Sequence, residues 1–180
     1  MNLRTWMRQG LPAVLLLCPL TSPADSPAPT RGVDSAFFIS RSENRNQVHY
    51  GVRVGEDCRP QGSQPVHAYW RMLEKGEAET EPLLVIEGPA YGLANAQEVV
   101  SSPAGWHIRV RLRAYSERPI ELAVARENGV CTTRAWMMLN ETVCQLDHIY
   151  VRMQWPIGVD SIRLSGVTSD GRAVTELIRP

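Results

Sequence analysis

The sequence predicts an all-β domain, a meander of about ten antiparallel strands that forms a barrel or a sandwich and carries one short helix. Through most of the chain, apolar and polar residues alternate with a period of two. Turn-forming pairs such as Asn128-Gly129 and Asp170-Gly171 separate these segments. The links are short, which favours a meander because a Greek key needs a long return connection.

The first 24 residues predict a secretory signal peptide, because Arg4 and Arg8 precede a short apolar run at residues 11–17. This run is far shorter than the ~20 residues that cross a bilayer, so we expect no stable membrane anchor. Small residues favour cleavage near Ala24, and the protein is then secreted or periplasmic. Residues 25–33 predict a disordered linker, and residues 34–180 a single β domain.

Within the domain, the only predicted helix starts at Thr80-Glu81-Pro82, where a hydroxyl cap, an acid and an early proline coincide. Gly88-Pro89 ends it after about two turns, and Leu83, Leu84 and Ile86 are expected on its buried side. The alternating segments predict strands at residues 36–40, 48–54, 66–73, 106–114, 120–124, 130–139, 143–154, 159–167 and 172–178.

A set of short motifs is distinctive: Phe37-Phe38-Ile39 with Arg41-Ser42, Asn44 and Asn46, Val48-His49-Tyr50, Tyr69-Trp70-Arg71, Glu87 before Ala90-Tyr91-Gly92, and Ile149-Tyr150-Val151. Together they resemble an uncharacterised bacterial family that is known only as domain of unknown function 4833. The resemblance covers most of residues 36–178. It implies no catalytic residue, cofactor or ligand.

Composition excludes several functional classes. The chain has 19 basic and 19 acidic residues, and loss of Arg4 and Arg8 with the signal peptide leaves a slightly acidic protein. Such a balance does not favour binding to nucleic acid. The sequence holds no known nucleophile, metal or phosphate-binding motif. We therefore predict no catalytic residue, no metal and no cofactor.

Beyond the signal segment, the chain has three cysteines, which permit one disulfide and leave one thiol. A bond from Cys58 to Cys131 or Cys144 is one expectation, and buried free thiols are the alternative. With a two-residue turn at Asn140-Glu141, Cys144 pairs with Met137 and lies roughly 20 Å along the sheet from Cys131. Because a disulfide needs Cα atoms within about 7 Å, these two cysteines should not be bonded to each other.

One cluster of side chains predicts a binding site. A turn at residues 116–118 would place Arg113 opposite Glu121, Arg111 opposite Ala123 and Arg109 opposite Ala125. The Asn128-Gly129 turn would then place Arg134 opposite Ala123, and Trp136 opposite Glu121. The candidate anion or ligand site is therefore Arg109, Arg111, Arg113, Arg134 and Trp136. The alternative is a solvated face on which arginine stems cover the alanines.

These features favour a non-enzymatic binding module for a small amphiphile or an anionic glycan or lipid. The first alternative is a structural or adaptor protein that docks another envelope protein through an edge strand or apolar patch. The second is a hydrolase with dispersed residues, such as His49 or His148 beside an acid. A lined cavity or basic face would distinguish a binder, and a converging histidine, acid and nucleophile would distinguish an enzyme.

Overall fold

The computed structural model describes residues 31–32, 35–76, 80–154 and 158–179. The predicted signal peptide and most of the predicted linker lie outside these residues. Among the described residues, no helix has the length and apolar character needed to span a membrane.

The described chain is built mostly of strands, as predicted. The strands are β1 (Arg31–Gly32), β2 (Phe37–Arg41), β3 (Asn44–Val54), β4 (Val66–Arg71), β5 (Thr80–Pro82), β6 (Glu98–Ser102), β7 (Gly105–Leu112), β8 (Tyr115–Glu127), β9 (Val130–Leu139), β10 (Thr142–Met153), β11 (Val159–Val167) and β12 (Ala173–Ile178). A 3-10 turn at Val85–Glu87 leads into the short helix α1 (Gly88–Tyr91).

Strand β10 organises the sheet, because its two halves pair with different strands on the same edge. Its first half pairs antiparallel with β9, and its second half, from His148 to Val151, pairs parallel with β2. The order is β5-β4-β3-β2-β10-β9-β8-β7-β6, with β11 and then β12 on the other edge of β10. The sheet is therefore mixed, and the prediction of a purely antiparallel meander is wrong at the β2–β10 pair. It is not closed, which fits a sandwich rather than a barrel.

A bulge between Leu146 and His148 separates the part of β10 that pairs with β9 from the part that pairs with β2. The bulge changes which side chains face the core, so that both Leu146 and Ile149 are buried. We call β2–β5 the first leaf and β6–β9 the second leaf. A disulfide between Cys58, after β3, and Cys131, on β9, connects the leaves and confirms one of the expected pairings.

The core lies between the leaves and follows the predicted alternation. Large side chains at 2 % exposure or less come from both leaves and from the β10–β11 pair, including Phe37, Val48, Tyr50, Val52, Ile108, Val110, Ile120, Leu122, Leu139, Leu146 and Leu164. Cys144 is the free thiol and is buried in this core, 0 % exposed. As predicted, Cys144 pairs with Met137 and is not bonded to Cys131.

The predicted helix lies elsewhere than expected. Thr80–Pro82 forms strand β5 by pairing with β4, and the helix begins at Gly88 instead of ending there. Pro89 fits the first turn of a helix because that position needs no backbone N–H. Leu84 and Ile86 are 63 % and 84 % exposed, so the predicted buried side is wrong for both.

The hairpin registers are correct in the second half of the domain and wrong at one turn. Asn128-Gly129 and Asn140-Glu141 are two-residue turns, and Ala123 lies opposite Arg134 as predicted. Between β7 and β8, however, Leu112 pairs with Tyr115, so the turn falls at residues 113–114 rather than 116–118. Matching apolar faces allow any even shift of register, so alternation alone could not distinguish these turns.

Candidate functional site

The shifted β7–β8 turn separates the arginines of the predicted site. Arg109 lies opposite Glu121 rather than Ala125, and His107 takes the place opposite Ala123 that was predicted for Arg111. Arg109 Nε donates to Glu121 Oε1 at 2.6 Å, and its Nη1 donates to Glu98 Oε2 at 3.1 Å. These carboxylates hold the pKa of Arg109 above its usual value through hydrogen bonds and charge. The cation is therefore neutralised where it stands.

The other members of the predicted site are also engaged. Arg134 forms a two-pronged pair with Glu127, at 2.5 and 2.7 Å. Arg111 donates to the carbonyl oxygens of Ser116 and Glu117, and Arg113 to Leu93 O and Asn95 Oδ1. Trp136 lies opposite Glu121, as predicted. The five residues do not form one open cationic site, and anion binding there stays a prediction.

A different surface gathers cations beside apolar side chains. It is a groove of about 370 Å³ on the outer side of β10, β11 and β12, which we call the basic groove. Its residues are Tyr150, Arg152, Asp160, Ser161, Arg163, Thr175, Leu177 and Arg179. The volume falls in the range of small-molecule pockets, about 300–1,000 Å³.

The strand registers explain why these side chains meet. Tyr150 pairs with Arg163, and Arg163 pairs with Leu177, so the three form one row across the strands. In the adjacent row, Arg152 pairs with Ser161. Because partners in an antiparallel pair project from the same face, the rows create a continuous strip of cations, hydroxyls and apolar groups.

The basic groove holds more cations than acids. Arg152 Nε lies 3.5 Å from Asp160 Oδ2, which also accepts a hydrogen bond from Ser161 Oγ at 3.2 Å. Arg163 places its guanidinium 5.0 Å from the centre of the Tyr150 ring. Within the described part of the chain, neither Arg163 nor Arg179 forms an ion pair with a carboxylate. Two of the three arginines thus lack an acidic partner there.

Sequence reasoning missed this groove because of the bulge in β10. Extending the alternation unbroken from Val143 puts Ile149, Val151 and Met153 on the outer face, which leaves two explanations open: a bulge in this strand, or a sheet covered on both faces. The structure has the bulge, which turns Tyr150 and Arg152 outward. The period-two pattern of β11 and β12 could have placed Arg163 and Leu177 on the outer face of the sheet. It could be combined with β10 only once the bulge was located.

Beside the groove, an aromatic row crosses four strands of the sheet. The rings of His148, Phe38, His49 and Tyr69 stack in that order, with centroids 5.2–5.8 Å apart. Stacked neighbours cover each other's faces, so this row does not offer flat rings to a sugar. Burial, helped by the charge of Arg71, lowers the pKa of His49 to about 4, so that this ring is neutral at pH 7.

The histidines do not meet a nucleophile. His148 Nδ1 lies 2.8 Å from Asp147 Oδ2, but no hydroxyl or thiol of the described residues is hydrogen-bonded to His148. Burial raises the pKa of the Cys144 thiol, which makes it a poor nucleophile. No group of three or more potential metal ligands occurs in residues 31–32, 35–76, 80–154 and 158–179.

Several of the distinctive motif residues hold one segment in place. Glu87 Oε2 accepts hydrogen bonds from Trp70 Nε1 at 2.9 Å and from the backbone N–H of Leu84 at 2.8 Å. Tyr50 donates to the carbonyl oxygen of Tyr91 at 2.7 Å. These contacts fasten the 3-10 turn and α1 to the first leaf.

Comparison with known proteins gives the relationship of the chain without a function. No curated protein and no solved structure matches it. A family model described as domain of unknown function DUF4833 matches residues 37–177, which include β2 to β11 and most of β12. The chain therefore belongs to the DUF4833 family, the family that its sequence motifs resemble.

Proposed function

We propose that this protein is a non-enzymatic binding module and that the basic groove holds a small anionic amphiphile. The observation that carries the proposal is the presence of Arg163 and Arg179, without carboxylate partners among the described residues, beside exposed apolar surface. A guanidinium presents a planar set of donors that fits a carboxylate or phosphate group.

The groove suits the two ends of such a ligand. Arg163 and Arg179 would bind the charged head, while the Tyr150 ring and Leu177, which is 51 % exposed, would contact the apolar part. The Thr175 hydroxyl adds a donor and acceptor at the wall. A ligand that is only polar would leave Leu177 uncovered, which favours an amphiphile over a glycan.

The test is calorimetric titration of the folded protein with octyl phosphate, with inorganic phosphate and octyl glucoside as further probes. Octyl phosphate should bind most tightly because it supplies both the anion and the chain. The double variant Arg163→Ala/Arg179→Ala should weaken binding roughly 100-fold or more, since hydrogen bonds to charged groups contribute about 1.5–3 kcal/mol each.

The matched control is Arg109→Ala/Arg134→Ala, which removes the same charge from the second leaf. Affinity equal to that of the parent is expected, because these arginines are already paired with acids. An equal loss of octyl phosphate affinity in the two double variants would show that only the net charge of the protein matters, and would contradict specific binding in the basic groove. If octyl glucoside binds as tightly as octyl phosphate, the ligand needs no anionic head group, and that part of the proposal is wrong.

We also propose that the protein works in a secreted or periplasmic compartment. The sequence supports this with its basic and apolar first 24 residues, and the Cys58–Cys131 disulfide suits an oxidising environment. Intact-mass measurement of protein from the native host should give a chain that begins near Asp25 and is two hydrogens lighter than the reduced form. A mass that includes residues 1–24 would contradict processing.

A further inference from the structure

The two most exposed large apolar side chains of the described residues, Val85 and Ile86, are neighbours in the 3-10 turn. Leu84, Val85 and Ile86 are 63 %, 97 % and 84 % exposed, and we call them the apolar ridge. The exposed Pro89 and Ala90 extend the same surface. Exposed apolar surface of this kind marks a site of interaction.

The ridge is held rigidly rather than by a loose loop. Glu87 turns its carboxylate inward to Trp70 Nε1 and to the Leu84 N–H, and the Glu87 N–H donates to the Leu84 carbonyl oxygen at 3.0 Å. The only acidic side chain within the 3-10 turn is thus used to fix its shape. A surface ordered before contact loses less conformational entropy on binding.

The same chain carries an apolar groove on the second leaf. It has a volume of about 310 Å³ and is lined by the apolar residues Pro119, Trp136, Met137, Met138 and Val143, with Arg118 and Glu121 at its border. Glu121 is paired with Arg109 at 2.6 Å. Met138 and Val143 are 51 % and 57 % exposed and face each other across the β9–β10 hairpin. Arg118 at its border is already paired with Glu176 at 2.8 Å, which leaves an apolar floor.

The ridge and the groove lie toward the same end of the molecule. α1 follows the ridge, and Gly92 accepts a hydrogen bond from the N–H of Arg113, in the β7–β8 turn, at 2.9 Å. Strand β8 begins just after that turn, and its Glu121 pairs with Trp136 of the groove. The β9–β10 turn between Met138 and Val143 lies at this end of β8 as well.

We propose that a second copy of this chain covers both surfaces, with the ridge of each copy seated in the apolar groove of the other. Because ridge and groove share one end, a two-fold axis there would make both contacts at once and close the assembly as a dimer. The three branched side chains of the ridge match the apolar floor, and Glu87, the acid within the 3-10 turn, directs its carboxylate to Trp70 and away from the contact.

Sedimentation velocity from about 1 µM to about 200 µM tests the proposal. The parent chain should pass from monomer to dimer, and Val85→Asp and Met138→Lys should each weaken dimerisation roughly tenfold or more, because a charge would be buried in an apolar contact. Val130→Asp is the control, since Val130 is 64 % exposed but lies at the opposite end of β8 and β9. It should dimerise like the parent.

Mixing the two variants distinguishes the ridge-in-groove contact from non-specific hydrophobic association. A mixed dimer has one native ridge-in-groove contact and one contact in which the introduced aspartate faces the introduced lysine. Mixing Val85→Asp with Met138→Lys should therefore restore dimer that neither variant forms alone. A parent that stays monomeric, a mixture that stays monomeric, or a Val130→Asp loss equal to the others would each overturn the proposal. Ridge-dependent binding to phosphatidylcholine vesicles by a monomeric parent would assign the ridge to lipid instead.

Discussion

Two outer surfaces of this sheet carry arginines, and they differ in what faces the guanidinium groups. On the second leaf, Arg109 has Glu98 and Glu121 as partners, and Arg134 has Glu127. On β10–β12, Arg163 has the Tyr150 ring instead. An exposed arginine is neutralised where the neighbouring strand supplies an acid, as at Arg109, and strand register decides which residues oppose each other.

The two leaves are joined by the Cys58–Cys131 disulfide, so the largest expected effect comes from removing it. The variant Cys58→Ser/Cys131→Ser should lose about 4 kcal/mol of unfolding free energy, because the bond closes a long loop of the unfolded chain. Urea unfolding followed by tryptophan fluorescence would measure the loss. We expect octyl phosphate binding to the basic groove to be lost in the same transition as the native tryptophan fluorescence. Two separated transitions would show that the leaves unfold independently.

A pH dependence should come from the aromatic row beside the basic groove. His49 has an ordinary pKa of 6.5 in the unfolded chain and a pKa of about 4 in the folded one, chiefly because it is buried. Between pH 6.5 and 4 the unfolded chain binds the extra proton, so stability falls as pH decreases. The full shift corresponds to about 3 kcal/mol, and solvent screening reduces the expected loss to about 2 kcal/mol.

Urea unfolding at pH 7 and pH 4.5 measures this loss, with His49→Gln as the test variant. The variant should lose less stability between the two pH values than the parent. His107→Gln is the matched control, because His107 is exposed on the second leaf. A pH dependence that His49→Gln leaves unchanged would assign the acid sensitivity to other groups, such as Glu176, whose pKa a hydrogen bond from Arg118 lowers.

The contrast between the surfaces can be tested by giving the groove the acid that it lacks. Thr175→Glu would place a carboxylate on the groove wall beside Arg163 and Arg179. Octyl phosphate affinity should fall about tenfold, through competition for the guanidinium groups and like-charge repulsion. Ser101→Glu adds the same charge to exposed β6 and should not change affinity. Equal losses in both would indicate a long-range charge effect.

The sequence predicted those features that depend on local chemistry. The Asn-Gly turn fixed the β8–β9 register, because both residues adopt positive φ, at 50° and 81°. Alternation identified buried positions such as Ile120 and Leu122. The predicted separation of Cys131 from Cys144 is confirmed because it depended on such a turn.

The features that were missed depend on contacts distant in the chain or on small irregularities. The parallel β2–β10 pair joins segments about a hundred residues apart, and alternation carries no information about partners. The bulge at Leu146–His148 is a single extra residue, yet it decides that Tyr150 and Arg152 face outward. One unpredicted register therefore divided the predicted arginine cluster, and one bulge that was not located kept the basic groove out of the sequence analysis.

The smallest expected effect comes from freeing an arginine on the paired surface. Glu98→Gln/Glu121→Gln would leave Arg109 with amides in place of carboxylates, and the change in stability should be small because the pairs are exposed. In an Arg163→Ala/Arg179→Ala background, phosphate should then bind the second leaf with a dissociation constant of about 1 mM. NMR shifts of the Arg109 side chain would report it. Phosphate binding to the second leaf while Glu98 and Glu121 are still present would show that pairing with acids does not prevent anion binding. The arginines predicted from the sequence would then be favoured over the basic groove as the anion site.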